Sequence, residues 1–246
     1  MTLKETPTLV TPAGVAGLLF SEEAARANAL VPSLKAEGAD TIVLLIHQGG
    51  KPAENYLQTG CEGFAGPILD IMDRLDPAIS VVVSGHTHYA YACEVERGGA
   101  RRLLTSAGRY GYLVTDIRLR FDPSTHALIG QSAINVPVRP EQGTDEGVAS
   151  LVARYAAAAA PAAARPVGKL EGNAPYSEVY DESPASNLIA DAQLFATKAK
   201  DRGDADLAFI NASGVRTTIT PAADGSVAYG QVFAAQPFGN NLVVKT

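Results

Sequence analysis

Imidazoles at the ends of apolar runs are the chemistry this sequence offers first. The run Ile79-Ser80-Val81-Val82-Val83 leads into Ser84-Gly85-His86-Thr87-His88, and Thr41–Ile46 leads into His47-Gln48-Gly49-Gly50. These are three of the chain's four histidines. Imidazole suits zinc, manganese and iron, and mixed histidine and carboxylate sets suit dinuclear hydrolases. In Gly-His-X-His two rings leave one loop two residues apart, so they can face neighbouring ions. Two ions roughly 3.5–4 Å apart polarise a phosphoryl oxygen, activate a water and stabilise the leaving oxygen. Taken alone, His47 also reads as a hydrogen-bonded histidine at a strand end. His126, in Asp122-Pro123-Ser124-Thr125-His126, reads as a surface turn residue.

The elements that carry these residues follow from periodicity. In α/β sheets, ligands bind beyond the carboxyl ends of the strands. Strand 41–46 is almost continuously apolar, which predicts cover on both faces, and strand 79–84 is its partner in type. Residues 1–20 read as loop and strand. A helix capped by Ser21 runs from Ala24 to about Glu37 and ends at Gly38, with Pro32 kinking or breaking it. A Gly-rich loop covers 48–66 and a helix 67–75. A hairpin turns at Gly98-Gly99 within 95–104. Strict alternation over Leu113–Phe121 predicts a half-exposed antiparallel strand, with another inside 127–138. Asp145–Ala160 is an Ala-rich helix stopped by Pro161. Ser183 caps a helix from Pro184 to about Lys200. A short buried strand, Asp206–Ile210, leads into Asn211-Ala212-Ser213-Gly214-Val215-Arg216. Tyr229–Gln236 reads as helical, Pro237–Asn241 as a turn, and Leu242–Val244 as a last strand.

Composition sets the outer bounds. With 246 residues the chain holds one large domain or two smaller ones. A net charge of −6 gives no electrostatic footprint for a nucleic-acid polymer. No apolar run approaches the roughly 18 residues of a membrane span, and the N-terminus does not read as a signal peptide. Cys61 and Cys93 lack the CxxC spacing of a zinc or redox motif. They are either a disulfide, which implies an oxidising compartment, or two separate thiols.

Several blocks, in order, resemble the calcineurin-like metallophosphoesterases, in particular the 5′-nucleotidase / 2′,3′-cyclic-nucleotide phosphodiesterase family. They are Gly38–Gly49, Val81–His88, Leu103–Gly111, Ser186-Asn187-Leu188-Ile189-Ala190-Asp191-Ala192, Asn211–Arg216 and Pro237-Phe238-Gly239-Asn240. The resemblance implies an α/β (α+β) chain in three parts. Residues 1–140 would be an incomplete metallophosphoesterase αββα sandwich. Residues 141–166 would be an Ala-rich linker helix. Residues 167–246 would be a partial α/β C-terminal nucleotidase domain that binds substrate. It implies His47, His86 and His88 as metal ligands of a centre holding two divalent ions (zinc, manganese, iron or cobalt). It also implies nucleotide contacts from Asn211, Ser213 and Arg216, and base stacking by Phe238. From the residues alone, Arg216 also reads as a surface salt-bridge residue and Phe238 as core, while Asn187 and Asp191 read as structural. The expected substrate is a nucleotide or another small phosphoester. The expected compartment is periplasmic or extracellular, and a Cys61–Cys93 bridge fits it.

The departures shape the functional expectation. The family's Asp-x-His, Gly-Asp and Gly-Asn-His blocks do not occur here, so no catalytic residue is assigned. The block bearing the second base-stacking aromatic is also missing. The chain therefore reads as an internal fragment or a mis-started gene. It is expected to have unpaired sheet edges and little hydrolytic activity alone. The alternatives are a non-catalytic nucleotide- or metal-binding module, and, within the enzyme class, a 2′,3′-cyclic phosphodiesterase or a UDP-sugar hydrolase.

Overall fold

A computed structural model describes residues 1–54, 59–177 and 182–245, with Ala212 by its backbone alone. The chain divides into two compact units, Met1–Gly143 and Thr144–Thr246. The Ala-rich helix falls in the second.

In the first unit the leading residues form a short helix α1 (Thr6–Leu9) and a 3-10 turn (Pro12–Val15), with no strand among the described residues. Helix α2 spans Glu23–Ala36. Its cap is Glu22 rather than Ser21: the Glu22 carboxylate accepts from the amides of Ala24 and Ala25 at 3.2 and 2.7 Å. Ser21 stands one residue too early for that reach. Pro32 is exposed and the helix runs through it. Helix α3 is Pro67–Met72, shorter than expected, and its chain turns at Asp73.

Strands β1 (Ile42–Leu45), β2 (Ile79–Val83), β3 (Ala90–Arg97) and β4 (Ala100–Ala107) form one sheet in the order β1-β2-β4-β3. β1, β2 and β4 run parallel, and β3 is antiparallel to β4. The β3–β4 hairpin closes at Gly98-Gly99, whose φ angles of 53° and 70° are the left-handed pair that a tight two-residue hairpin requires. β1 does not match the expectation of two covered faces. Ile42 and Leu44 pack into the core with Ala27, Val31, Ile68 and Met72, while Val43 and Leu45 are 41 and 64% exposed. Helices α2 and α3 cover one face only. Arg102, fully buried on β4, donates to the carbonyls of Ile79 (3.0 Å), Leu75 (2.8 Å), Asp76 (3.1 Å) and Arg97. One cation thus ties the end of α3 to the start of β2 and to the hairpin.

β5 (Leu113–Phe121) and β6 (Leu128–Pro137) form a separate antiparallel ribbon with the expected alternation. The ribbon is tied to β4 through buried Asn135, which donates to the Ser106 carbonyl at 3.0 Å and accepts from Thr115 at 2.7 Å.

The second unit opens with α4 (Glu146–Ala163), capped by Asp145 accepting from the Val148 amide at 2.8 Å. Pro161 lies inside the helix instead of stopping it. β7 (Pro166–Lys169) pairs antiparallel with β8 (Ser226–Ala228), a pairing that periodicity did not indicate. α5 (Pro184–Thr197) starts at the Ser183 cap, and α6 spans Tyr229–Ala235. Ala185, Ile189, Val215, Ile219, Val227 and Ala235 form its core. The segments 206–210 and 242–244 are not strands. Neither enters a ladder among the described residues, and Phe209 and Val243 are 86 and 76% exposed. No described helix is long and apolar enough to cross a membrane.

Candidate functional site

The parallel pairing of β1 with β2 sets Leu45 opposite Val83, so both strands end at the same level. The Ile46 amide extends the ladder to the Val83 carbonyl at 2.9 Å, and the chains then open into the two histidine loops. His47 and His86 meet there, ring centroids 5.1 Å apart and inclined at 63°. Burial and the neighbouring His47 hold the His86 imidazole below the ordinary histidine pKa. This favours the neutral ring, with a nitrogen lone pair to offer. His86 and His88 both have left-handed backbones, φ 71° and 65°. Such conformations in non-glycine residues cost about 1–3 kcal/mol each and gather at functional sites. The ring of His88 lies 6.2 Å from that of Tyr110.

Glycines allow the two loops to touch. A Cβ on Gly49 would sit 2.4 Å from the Gly85 carbonyl oxygen and 2.8 Å from Thr87 Oγ1. One on Gly50 would meet the Phe64 ring at 2.4 Å. Hydroxyls complete the clamp. Ser84 Oγ donates to the Thr105 carbonyl at 2.7 Å, so the Tyr91 hydroxyl, 2.7 Å away, donates to Ser84. The same Tyr91 oxygen accepts from the Gly50 amide at 3.3 Å, and Thr87 Oγ1 donates to the Gly50 carbonyl at 2.7 Å. Tyr91 is fully buried. Sequence reading missed it because its signal, a tyrosine between two alanines near the start of a strand, is that of a core residue. Cys61 and Cys93 are joined in a disulfide, Cα atoms 5.8 Å apart, which ties the Gly-rich loop to β3.

The structure brings His47 and His86 together but does not gather His88 with them into one ligand set. Among the described residues no group of three or more His, Cys, Asp or Glu side chains is placed to hold a metal ion. Two imidazoles fit part of a metal site, and this chain's described residues do not complete it. His126 is the surface residue expected, its Nδ1 3.0 Å from Asp40 Oδ2.

In the second unit Asn211, Ser213, Arg216 and Phe238 all line one open cavity of about 1530 Å³. The Arg216 guanidinium lies 5.1 Å over the Phe238 ring, and Asn211 Nδ2 donates to Ser213 Oγ at 2.7 Å. Arg216 is fixed in register by its amide, which donates to the Ala235 carbonyl at 2.9 Å, next to fully buried Val215. Phe238 is 42% exposed, so it is a cavity wall rather than core. A guanidinium beside an aromatic face suits a ligand with both an anionic group and a flat ring. Asn187 donates to Glu182 at 2.8 Å, holding the start of α5.

These features define a mixed α/β chain of two units, with paired imidazoles in one and a basic-aromatic cavity in the other. Residues 166–246 match the family model 5′-nucleotidase, C-terminal domain. The chain is 22% identical to the 5′-nucleotidase precursor from Thermus thermophilus, with a TM-score of 0.65, covering 90% of this chain and 43% of that one. A putative 5′-nucleotidase from Staphylococcus aureus gives a TM-score of 0.59 at 16% identity, over 97% of this chain and 44% of that one. The chain thus shares the fold of these solved 5′-nucleotidase structures, and its C-terminal segment matches the nucleotidase family model. In sequence it is 27% identical over 95% of its length to Endonuclease YhcR of Bacillus subtilis (strain 168). It spans 18% of that relative and less than half of either solved structure.

Proposed function

We propose that the chain belongs to a phosphoester hydrolase of 5′-nucleotidase type, whose first unit contributes imidazoles and whose second unit binds the nucleotide. The observation that carries this reading is the Arg216–Phe238 pair in the cavity of a segment that matches the nucleotidase C-terminal family. Arg216 meets the phosphate through charge-assisted hydrogen bonds. Phe238 stacks on the base, and Asn211 and Ser213 offer polar contacts between them. In the first unit His47 and His86, with His88, would hold divalent ions together with ligands from other residues. Such ions polarise a phosphoryl oxygen and activate water. The described residues supply an incomplete ligand set, so this chain alone hydrolyses AMP slowly or not at all. Family relationship and the disulfide support an exported location.

Calorimetric titration of the chain with AMP tests the reading. Binding that is lost in Arg216→Ala and Phe238→Ala supports it, and AMP that does not bind the parent chain refutes it. Rapid manganese- or zinc-dependent AMP hydrolysis by the 246-residue chain would contradict the incomplete site.

One observation favours a second reading. The match to an endonuclease covers 95% of the chain, which suggests a phosphodiester within a polynucleotide as substrate. The net charge of −6 argues against broad electrostatic attraction to a polymer. A polynucleotide would have to be held through its bases.

A further inference from the structure

Between β4 and β5 the chain makes a turn, Gly108-Arg109-Tyr110-Gly111-Tyr112, that presents two tyrosines to solvent. Tyr110 and Tyr112 are 62 and 66% exposed, with ring centroids 6.0 Å apart and planes perpendicular. Water-facing aromatic rings gain nothing from burial, yet the backbone is strained to hold them. Tyr110 is left-handed at φ 60°, between Gly108 and Gly111, each at φ 72°. A bulky residue such as tyrosine is seldom found in that region. The turn is anchored nonetheless: the Tyr112 amide donates to the Arg109 carbonyl at 3.3 Å and the Val138 amide to the Tyr112 carbonyl at 2.9 Å.

Its surroundings are basic and adjoin the histidine loop. The Arg109 guanidinium lies 5.1 Å from the Tyr110 ring centre. The His88 ring is 6.2 Å from Tyr110, and the next residue, Tyr89, carries the Lys51 ammonium 5.3 Å over its ring. Two exposed aromatic rings, with a guanidinium near Tyr110 and an ammonium near Tyr89, match the chemistry of a single-stranded polynucleotide. Bases stack on the rings, and the intervening phosphates meet the cations.

We propose that Tyr110 and Tyr112 form a base-stacking platform for single-stranded nucleic acid beside His88, on the first unit and separate from the Arg216–Phe238 cavity. The proposal deepens the polynucleotide reading above. A stacking platform reconciles that reading with a net negative chain, because the affinity comes from ring faces more than from counterion release.

Fluorescence anisotropy with labelled oligodeoxythymidylate of ten residues tests it on the full chain. Each of Tyr110→Ala and Tyr112→Ala should weaken binding by roughly fivefold or more, from the stacking energy of one base. Tyr110→Phe and Tyr112→Phe, which keep the rings, should bind like the parent. A duplex of the same length, its bases already stacked, should bind more weakly than the single strand. Calorimetric AMP binding should be unchanged in the alanine variants, so failure here is distinguishable from failure of the cavity reading, which rests on Arg216→Ala and Phe238→Ala. No binding of the oligonucleotide by the parent, equal binding by the alanine variants, or equal binding of duplex and single strand would each overturn the platform.

Discussion

The two candidate sites are built in opposite ways. Beyond β1 and β2 the histidine loops are pressed together at Gly49 against the Gly85 carbonyl, with the Phe64 ring packed on Gly50. A buried tyrosine hydroxyl stitches them. In the second unit the cavity is open, and its distinguishing groups are side chains standing from a turn, with Phe238 half-exposed. The first kind of site is inseparable from folding, whereas the second can be altered without disturbing the core. Substitutions should therefore act on stability in one unit and on ligand affinity in the other.

The sharpest break of that contrast is Gly49→Val. Overpacking a close backbone contact costs about 1–3 kcal/mol or more, so thermal denaturation should show a clear loss in the first unit. An unchanged melting temperature would mean the loops are not in contact. Arg216→Ala should leave melting unaltered but weaken AMP binding roughly 10- to 100-fold, the worth of a hydrogen bond to a charged group. Equal loss of stability and affinity would dissolve the distinction. Tyr91→Phe strands the Gly50 amide and costs about 1–2 kcal/mol. Amide hydrogen exchange should locate the loosening at residues 48–50 and 84–88. The smallest effect belongs to Glu22. Burial tends to raise its pKa, but the Ala25 and Ala24 amides and Arg74 outweigh it and hold the carboxyl below its ordinary value. A depressed carboxylate contributes stability above its unfolded pKa and loses it as pH falls through the folded one. Glu22→Gln should thus destabilise by about 1 kcal/mol at neutral pH. The difference from the parent should vanish in acid. A gap that persisted at low pH would show that the cap does not depend on charge.

How much of this was legible depended on whether the signal was local. Ser183 announces its helix because a cap acts within three residues, and Gly98-Gly99 announces its turn because φ > 0 is demanded there. His47 and His86 could be placed together because parallel strands of similar length end together. Segments 206–210 and 242–244 looked like strands by composition, but a strand exists only with a ladder partner, and sequence does not display partners. Glu22 displaced Ser21 because the helix starts one residue later than the Ser-Glu-Glu string suggests, which puts the Ala24 and Ala25 amides within reach of the Glu22 carboxylate. Tyr91 and Arg102 were illegible for one reason: their roles are to carbonyls, amides and hydroxyls far away in the chain.

The contact at Gly49 also bears on how relatives should be recognised. Histidines survive in many settings, and a Gly-His-X-His string proves little by itself. A residue with any side chain at position 49 would have its Cβ 2.4 Å from the Gly85 carbonyl oxygen. A lineage that kept both imidazoles but lost that glycine would have to part the loops. In a collection of related sequences, the residue that reports whether the site is intact is the one that carries no functional group.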